Sequence, residues 1–426
     1  MVQRLSRVRV WWWVLVAAVA VLPAASAGEP AVPAGLCGRL GDCGGVPVLE
    51  VWGTPEQEAR AHGYLMAERI LDLFDGYVLD ESMLASPVLY ESILVPGVRR
   101  QFEWPAEREK ELRALLAGMQ ERLGADAVRS KKLNRALRVE DLMIANALAD
   151  WFGSLCSTVS VWGALTPDGQ TITARNLDYP SAGGMAAGQV IMIYRGDGHC
   201  RPWAGVGWPG LVGVYTGMND GGVTIAMHDA TGRPPAQTEG FTPRSLILRE
   251  ALEAASPESF VADVRAVFRR RHVMVGNNIH VSAPRRGREP AAVVFEYDAN
   301  AFEDGVTVRR ATDNPTPLAD AIWCTNHMRL RKEPVKSRRF ARVQKRLANL
   351  AGEKETLDVD EAMKLIHSIR QKTTVHSVVF EPATRVMHVH IPAAREQAVT
   401  LRLAEWLARP VGGSAAPPAA RAEDKP

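Results

Sequence analysis

Net charge is nearly absent from this sequence: among 426 residues, 51 Lys and Arg stand against 48 Asp and Glu, a formal balance of +3. So even a balance makes no long-range field, which excludes nucleic acid or a charge-held anionic membrane as the expected partner. The basic clusters Arg269-Arg270-Arg271 and Arg329-Leu330-Arg331-Lys332 read as solvated helix or loop surface. Cysteine is scarce and odd in number, five in all, so at least one thiol has no disulfide partner in the chain. Beyond the N-terminal segment no apolar run reaches the ~20 residues that span a bilayer, and there is no internal repeat. Phosphate and metal signatures are missing too. Gly205-Val206-Gly207-Trp208-Pro209-Gly210 fits G-x-G-x-x-G, but the apolar run from Val212 reads as a strand, not a helix that would hold a phosphate. His388 and His390 share one face of a surface strand, yet no third ligand is spaced to join them. Neither a cofactor nor a metal is expected.

What is present begins with the N-terminus. Arg4, Arg7 and Arg9 precede an apolar run from Val10 to Leu22, followed by Ala25-Ser26-Ala27. This pattern predicts a secretory signal peptide over 1–27, cut before Gly28, and hence a periplasmic or extracellular protein. A membrane anchor is the weaker alternative, because the run is short of a bilayer span. Export permits disulfides: Cys37 and Cys43 flank a Gly-containing loop where a local bridge fits, and Cys200 and Cys324 could pair only if folding brings them together.

With 46% of its residues apolar, the chain can bury a large core. Residues 28–155 read as a mainly helical segment, with helical spacing over Glu56–Phe74, Ala106–Leu123 and Val139–Phe152 after one short strand at Val48–Trp52. Thr54 is a ready cap and Pro55 suits the first turn. From Cys156 the texture changes to strands separated by Gly, Pro and Asp turns: Ser157–Leu165, Thr171–Asn176, Gln189–Arg195, Val212–Thr216 and Val223–His228. Helices return over Pro243–Arg271, with a break near Ser256-Pro257, and again over Ser337–Leu350 and Val359–Arg370. Blocks of strands and helices predict a layered α+β fold over 156–409 rather than βαβ units. Residues 410–426, rich in Pro, Ala, Gly and charge, read as a disordered tail.

Cys156 opens the strand-rich part. A thiol is a weak nucleophile until something takes its proton, and no His lies near Cys156 in sequence. Were the Leu155–Cys156 bond cleaved, the new α-amine would titrate near ~7.7–8.0 on the same residue as the thiol, supplying nucleophile and base together. Such a site needs a donor beside the thiolate, a carboxylate to orient the amine, and a donor for the tetrahedral oxyanion. Arg175 and Asp178 stand one hairpin after Cys156 and are candidates for the first two roles; Asn326 is the candidate for the third. As bland alternatives, Arg175 and Asp178 could form a structural ion pair, Asn326 a helix cap, and Trp203, Trp208 and Tyr215 core rather than pocket wall.

Taken in order, Gly53-Thr54-Pro55, Ala61-His62-Gly63, Ala149-Asp150-Trp151, Cys156-Ser157, Trp162-Gly163, Asp168-Gly169, Arg175-Asn176-Leu177-Asp178, Gly217-Met218-Asn219, Thr325-Asn326-His327 and Val375–Phe380 resemble the penicillin acyltransferase family of N-terminal-nucleophile (Ntn) hydrolases, relatives of the choloylglycine hydrolases and acid ceramidase. The resemblance implies a four-layer αββα sandwich. It also implies autoproteolysis between Leu155 and Cys156, giving an α chain that stays associated with a β chain starting at Cys156. By the same resemblance the nucleophile is Cys156, the thiol-facing Arg is Arg175, the amine-orienting Asp is Asp178 and the oxyanion Asn is Asn326. A further active-site Arg is Arg339, with Arg338 as the alternative. The chain departs from the pattern at Leu155, where many relatives carry Gly, which implies slow or assisted processing. It departs again at His228-Asp229, where choloylglycine hydrolases carry a second oxyanion Asn; either a backbone N–H replaces it or the pocket differs. The expected substrate is a small-molecule acyl amide or ester, its non-peptide or peptide-like C–N bond attacked through an acyl-Cys156 intermediate by an amidohydrolase or acyltransferase. A non-catalytic exported binding protein and a phospholipase B-like ester hydrolase are the alternatives.

Overall fold

The computed structural model describes residues 33, 35–81, 86–151, 153, 155–180, 184–230, 232, 237–287, 290–299, 305–316, 318–331, 333 and 337–412. The signal segment with its cleavage point, and the tail from 413, lie outside the described residues.

Two sheets lie face to face. The larger runs, in spatial order, Gly38–Cys43, Val46–Val51, Val190–Tyr194, Trp203–Gly207, Thr216–Asn219, Thr224–Asp229, Asn277–Ser282, Ala292–Tyr297 and Val306–Arg309. The smaller runs Ala321–Cys324, Leu155–Val161, Ile172–Asp178, Thr374–Glu381, Val386–His390 and Val399–Arg402. Neighbours are antiparallel except for Val46–Val51 beside Val190–Tyr194. Between the sheets, Val48, Ile191, Val206 and Met218 pack on Val378, Phe380, Met387 and Leu401. Part of this interface is polar but paired. Thr158 meets His228 at 2.7 Å, Ser160 meets His280 at 2.7 Å and Thr216 meets His376 at 2.9 Å. Hydrogen bonding offsets the desolvation of these groups, and burial keeps the imidazoles neutral, with His280 lowered to about 3.

Helices cover both outer faces. Pro55–Leu73, Ala106–Leu123, Val139–Trp151, Arg244–Ala254 and Phe260–Phe268 contribute to the core of the larger sheet, while Arg338–Glu353 and Val359–Ser368 pack over the smaller one through Phe340, Leu347 and Ile366. The order is helix, sheet, sheet, helix: the αββα sandwich that the sequence led us to expect. Thr54 closes a capping box on the first helix, its Oγ1 accepting from Gln57 N at 3.3 Å while Gln57 Oε1 accepts from Thr54 N at 2.9 Å. That helix crosses Ala106–Leu123 backbone to backbone. A Cβ on Gly63 would sit 1.9 Å from the Leu115 carbonyl oxygen, and one on Gly118 would sit 2.1 Å from that of Arg60. His62 beside it is buried, accepting from Gly210 N at 2.9 Å and facing Tyr194 Oη at 2.8 Å, so the His-Gly motif is structural.

Several sequence expectations change. The segment before Cys156 also supplies two strands to the larger sheet, and the first, Gly38–Cys43, had no counterpart in the reading. That strand rules out a Cys37–Cys43 bridge: six steps of ~3.3 Å separate residues that a disulfide needs within ~7 Å. Cys200 is exposed on a loop and Cys324 is buried within a strand, and no disulfide joins them. Val212–Tyr215 forms no strand, because its backbone is taken elsewhere: Val212 N donates to Asn146 Oδ1 at 2.9 Å and Val214 N to Ser245 O at 3.0 Å. His390 is buried rather than on the surface, its Nδ1 3.0 Å from His367 Nε2.

Candidate active site

Strand parity decides which side chains meet. Cys156 is second in Leu155–Val161, and it shares the inter-sheet face with Thr158 and Ser160, whereas Val159 and Val161 pack toward the helices over the smaller sheet. Register pairs Cys156 with Leu177 and Thr158 with Arg175, so Arg175 comes from the adjacent strand onto the same face. Its Nη2 lies 3.8 Å from Cys156 Sγ while Nη1 donates to Met227 O at 2.9 Å on the opposing sheet. The turn that sets this register is Pro167-Asp168-Gly169, where Gly169 takes φ +74° and Asp168 Oδ1 accepts from Gln170 N at 2.9 Å.

Asp178, three residues after Arg175, falls on the other face. There its Oδ2 accepts from Arg339 Nη1 at 2.9 Å and its Oδ1 from Thr374 Oγ1 at 2.5 Å. Arg339 Nη1 also donates to Cys156 O and Ser157 Oγ, each at 2.8 Å, and Nη2 donates to Asn326 Oδ1 at 2.8 Å. Arg339 sits in the first turn of its helix, where the dipole disfavours a cation; the Asp178 carboxylate opposes that. Arg338 is exposed. Of the two arginines, it is Arg339 that the fold places against Cys156.

Asn326 follows the strand Ala321–Cys324, the edge neighbour of the Cys156 strand. Its Oδ1 accepts the Cys156 N–H at 2.9 Å and its Nδ2 donates to Asp229 O at 2.8 Å. The five side chains singled out in the sequence, Cys156, Arg175, Asp178, Asn326 and Arg339, thus form one connected cluster. Leu155, on the other side of the candidate scissile bond, is 51% exposed.

Burial pushes the Cys156 thiol up to about 11; Arg175 pulls it back, and the Asp178 and Asp229 carboxylates push it further. Burial also raises Asp178, opposed by the Thr374 hydroxyl and then by Arg339. Asp229 is bound to Arg244, a buried guanidinium whose Nε also donates to Asp150 Oδ1 at 3.1 Å and whose Nη1 donates to Asn277 Oδ1 at 2.7 Å. A carboxylate accepts hydrogen bonds and cannot donate one, so the Asp229 side chain is no oxyanion donor. Asp150 is raised to about 7 by burial, with Arg244 opposing. The sequence reading gave Asp150 no role beyond a motif position and missed Arg244 and Thr374; helix-layer and strand-end partners leave no periodic signal.

Beside Tyr179, the residue after Asp178, an apolar cleft of about 60 Å³ is walled by Tyr77, Leu148, Trp208, Leu211 and Tyr215. Among the described residues no three His, Cys, Asp or Glu could hold a metal, and no helix is long and apolar enough to cross a membrane.

No protein-family model matches the sequence, and no curated protein matches it either. Solved structures do. An N-acylethanolamine-hydrolyzing acid amidase ortholog of Caenorhabditis elegans is similar at 18% identity, over 58% of this chain and 100% of that one, with a TM-score of 0.42. A mutant of the conjugated bile acid hydrolase from Clostridium perfringens is similar at 13% identity, over 59% and 93%, with a TM-score of 0.39. Penicillin V acylase from Agrobacterium tumefaciens is similar at 11% identity, over 56% and 83%, with a TM-score of 0.37. At such scores the fold and the site stand on this chain's own geometry.

Proposed function

We propose that this chain is an exported, self-processing thiol amidohydrolase or acyltransferase of the Ntn class, acting on small acyl amides. One observation carries the reading: Cys156 presents its thiol to Arg175 at 3.8 Å and its own N–H to Asn326 Oδ1 at 2.9 Å, at a bond whose other side is exposed. In processing, Sγ attacks the Leu155 carbonyl, the C–N bond breaks as the nitrogen takes the thiol's proton, and water then hydrolyses the thioester. The products are a Leu155 carboxylate and a Cys156 with free α-amine and thiol, and the two chains stay packed because the strands and helices of both share one core.

In turnover the α-amine takes the thiol proton, Sγ attacks the acyl carbonyl, and Asn326 Nδ2 stabilises the oxyanion. The amine leaves protonated, and the acyl thioester passes to water or to an acceptor amine. The apolar cleft beside Tyr179 receives the acyl group. The same machinery cleaves activated esters.

Intact mass and N-terminal sequencing of the purified protein test this. A chain beginning Cys-Ser-Thr-Val, absent in Cys156→Ala, together with turnover of chromogenic acyl amides, is expected. A single uncut chain that binds such amides without turnover would make this a binding protein of the same fold.

A further inference from the structure

A second cavity, about 400 Å³ in volume, lies in the helical layer of the larger sheet and shares no lining residue with the Cys156 cluster. The first turns of Pro55–Leu73 and Ala106–Leu123, the last turn of Arg244–Ala254 and the ends of two strands enclose it. One wall is aromatic: Tyr194 and Trp203 stack with centroids 4.6 Å apart.

Charge on the lining is unequal, six carboxylates against three guanidinium groups. Four of these charges cancel in a closed square. Arg249 reaches Glu111 at 2.7 Å and Glu253 at 2.6 Å, while Arg108 reaches Glu253 at 2.9 Å and also bonds Glu111. Arg201 is paired with Asp220 at 3.0 Å. Glu58 differs. It is 2% exposed, its Oε1 accepts the Gly196 N–H at 2.7 Å, and among the described residues it has no cationic partner at bonding distance. A buried carboxylate without a counter-ion is costly, and burial accordingly lifts Glu58 to about 8, with Arg249 and the Gly196 N–H opposing. A divalent metal would need several oxygen ligands, and Glu111 and Glu253 are already committed to arginines. A single ammonium needs one carboxylate and tolerates an aromatic wall.

We propose that this cavity binds a small organic cation, an alkyl amine or diamine, with its ammonium against Glu58 and its stem in the open volume of the cavity. The site is separate from the Cys156 chemistry and stands whether or not that chemistry does.

Isothermal titration with putrescine and with hexylamine at pH 8.5 and pH 6.0 tests it. Saturable binding is expected, weakening on the order of fifty-fold at the lower pH as Glu58 takes up its proton. Glu58→Gln, which keeps an acceptor for the Gly196 N–H, should weaken binding at pH 8.5 at least ~10-fold and remove the pH dependence, whereas Cys156→Ala should bind like the parent. Should Glu58→Gln fail to fold, Ala254→Phe obstructs the cavity without touching the ion pairs and should abolish binding. Equal binding by Glu58→Gln or Ala254→Phe, no saturation by either amine at pH 8.5, or the same response to sodium chloride at matched ionic strength would overturn the proposal.

Discussion

The Cys156 N–H and the Oδ1 of Asn326 are 2.9 Å apart, so the nitrogen that cleavage would turn into an α-amine is already held in place in the intact chain. The same oxygen accepts from Arg339 Nη2 at 2.8 Å. Processing on this scheme creates the base without moving it, and the nearby guanidinium groups favour its neutral form.

On the proposed scheme Asn326 would have two separable functions, its Oδ1 an acceptor for the Cys156 nitrogen and its Nδ2, which donates to Asp229 O in the intact chain, a donor toward the oxyanion. Asn326→Asp keeps the acceptor and loses the donor; Asn326→Ala loses both. Both variants should lower kcat by ~10²–10³, with KM little changed. Full activity in Asn326→Asp, measured on pre-cleaved protein, would remove Asn326 from the oxyanion role.

Arg339 ties Cys156 O, Ser157, Asp178 and Asn326 together through one planar fork. Lysine has the charge but not the fork, and displacements of this kind can cost ~10²-fold. Arg339→Lys should lose about that in kcat and also melt earlier, since one ammonium cannot keep the fork's hydrogen bonds to Cys156 O, Ser157, Asp178 and Asn326 together. Arg338→Ala, on an exposed side chain, should change stability by less than about 0.5 kcal/mol and leave kcat alone. Steady-state kinetics and a thermal melt of the pair decide it.

Much of this architecture was legible because its elements carry local signals. The helix Ala106–Leu123 coincides with the residues its periodicity marked, and the Pro167-Asp168-Gly169 turn fixed the register that pairs Thr158 with Arg175. What stayed hidden depends on distant partners. Gly38–Cys43 is a strand by virtue of its neighbour, and Arg39 within it is held by Glu50 at 2.7 Å. The apolar run Val212–Tyr215 has strand composition, but helix residues satisfy its backbone. Asp178 and Arg175 look alike in sequence as neighbours of the nucleophile, and only sheet parity shows that one faces the thiol while the other is bound to Arg339.

Gly63 marks the tightest helix crossing in the N-terminal part. A methyl group there would lie 1.9 Å from the Leu115 carbonyl oxygen, a backbone atom that cannot rotate away. Overpacking of this kind costs ~1–3 kcal/mol, more than alanine's better helix propensity returns. Gly63→Ala should lower the unfolding free energy by that amount, read as a lower denaturation midpoint at an unchanged m-value, whereas Gly352→Ala, with open space around it, should not be destabilised. Urea unfolding of the two variants beside the parent checks the contrast.

Self-cleavage should run faster as pH rises. In the intact chain burial holds the Cys156 thiol near 11, above its ordinary value of 9.0. Below that value the thiolate fraction grows about tenfold per pH unit. Precursor accumulated at low pH and shifted to a series between about pH 6 and 9 should therefore process with a log rate rising at a slope approaching one, followed by mass spectrometry of the Leu155–Cys156 bond. The linked stability runs the opposite way. A thiol whose folded pKa is raised contributes stability that is complete below its unfolded value and is lost as pH climbs through about 11, so Cys156→Ala should lose less stability than unprocessed parent above pH 9. A processing rate that is flat or falls with pH would mean that a protonated group, and not the thiolate fraction, limits the cut.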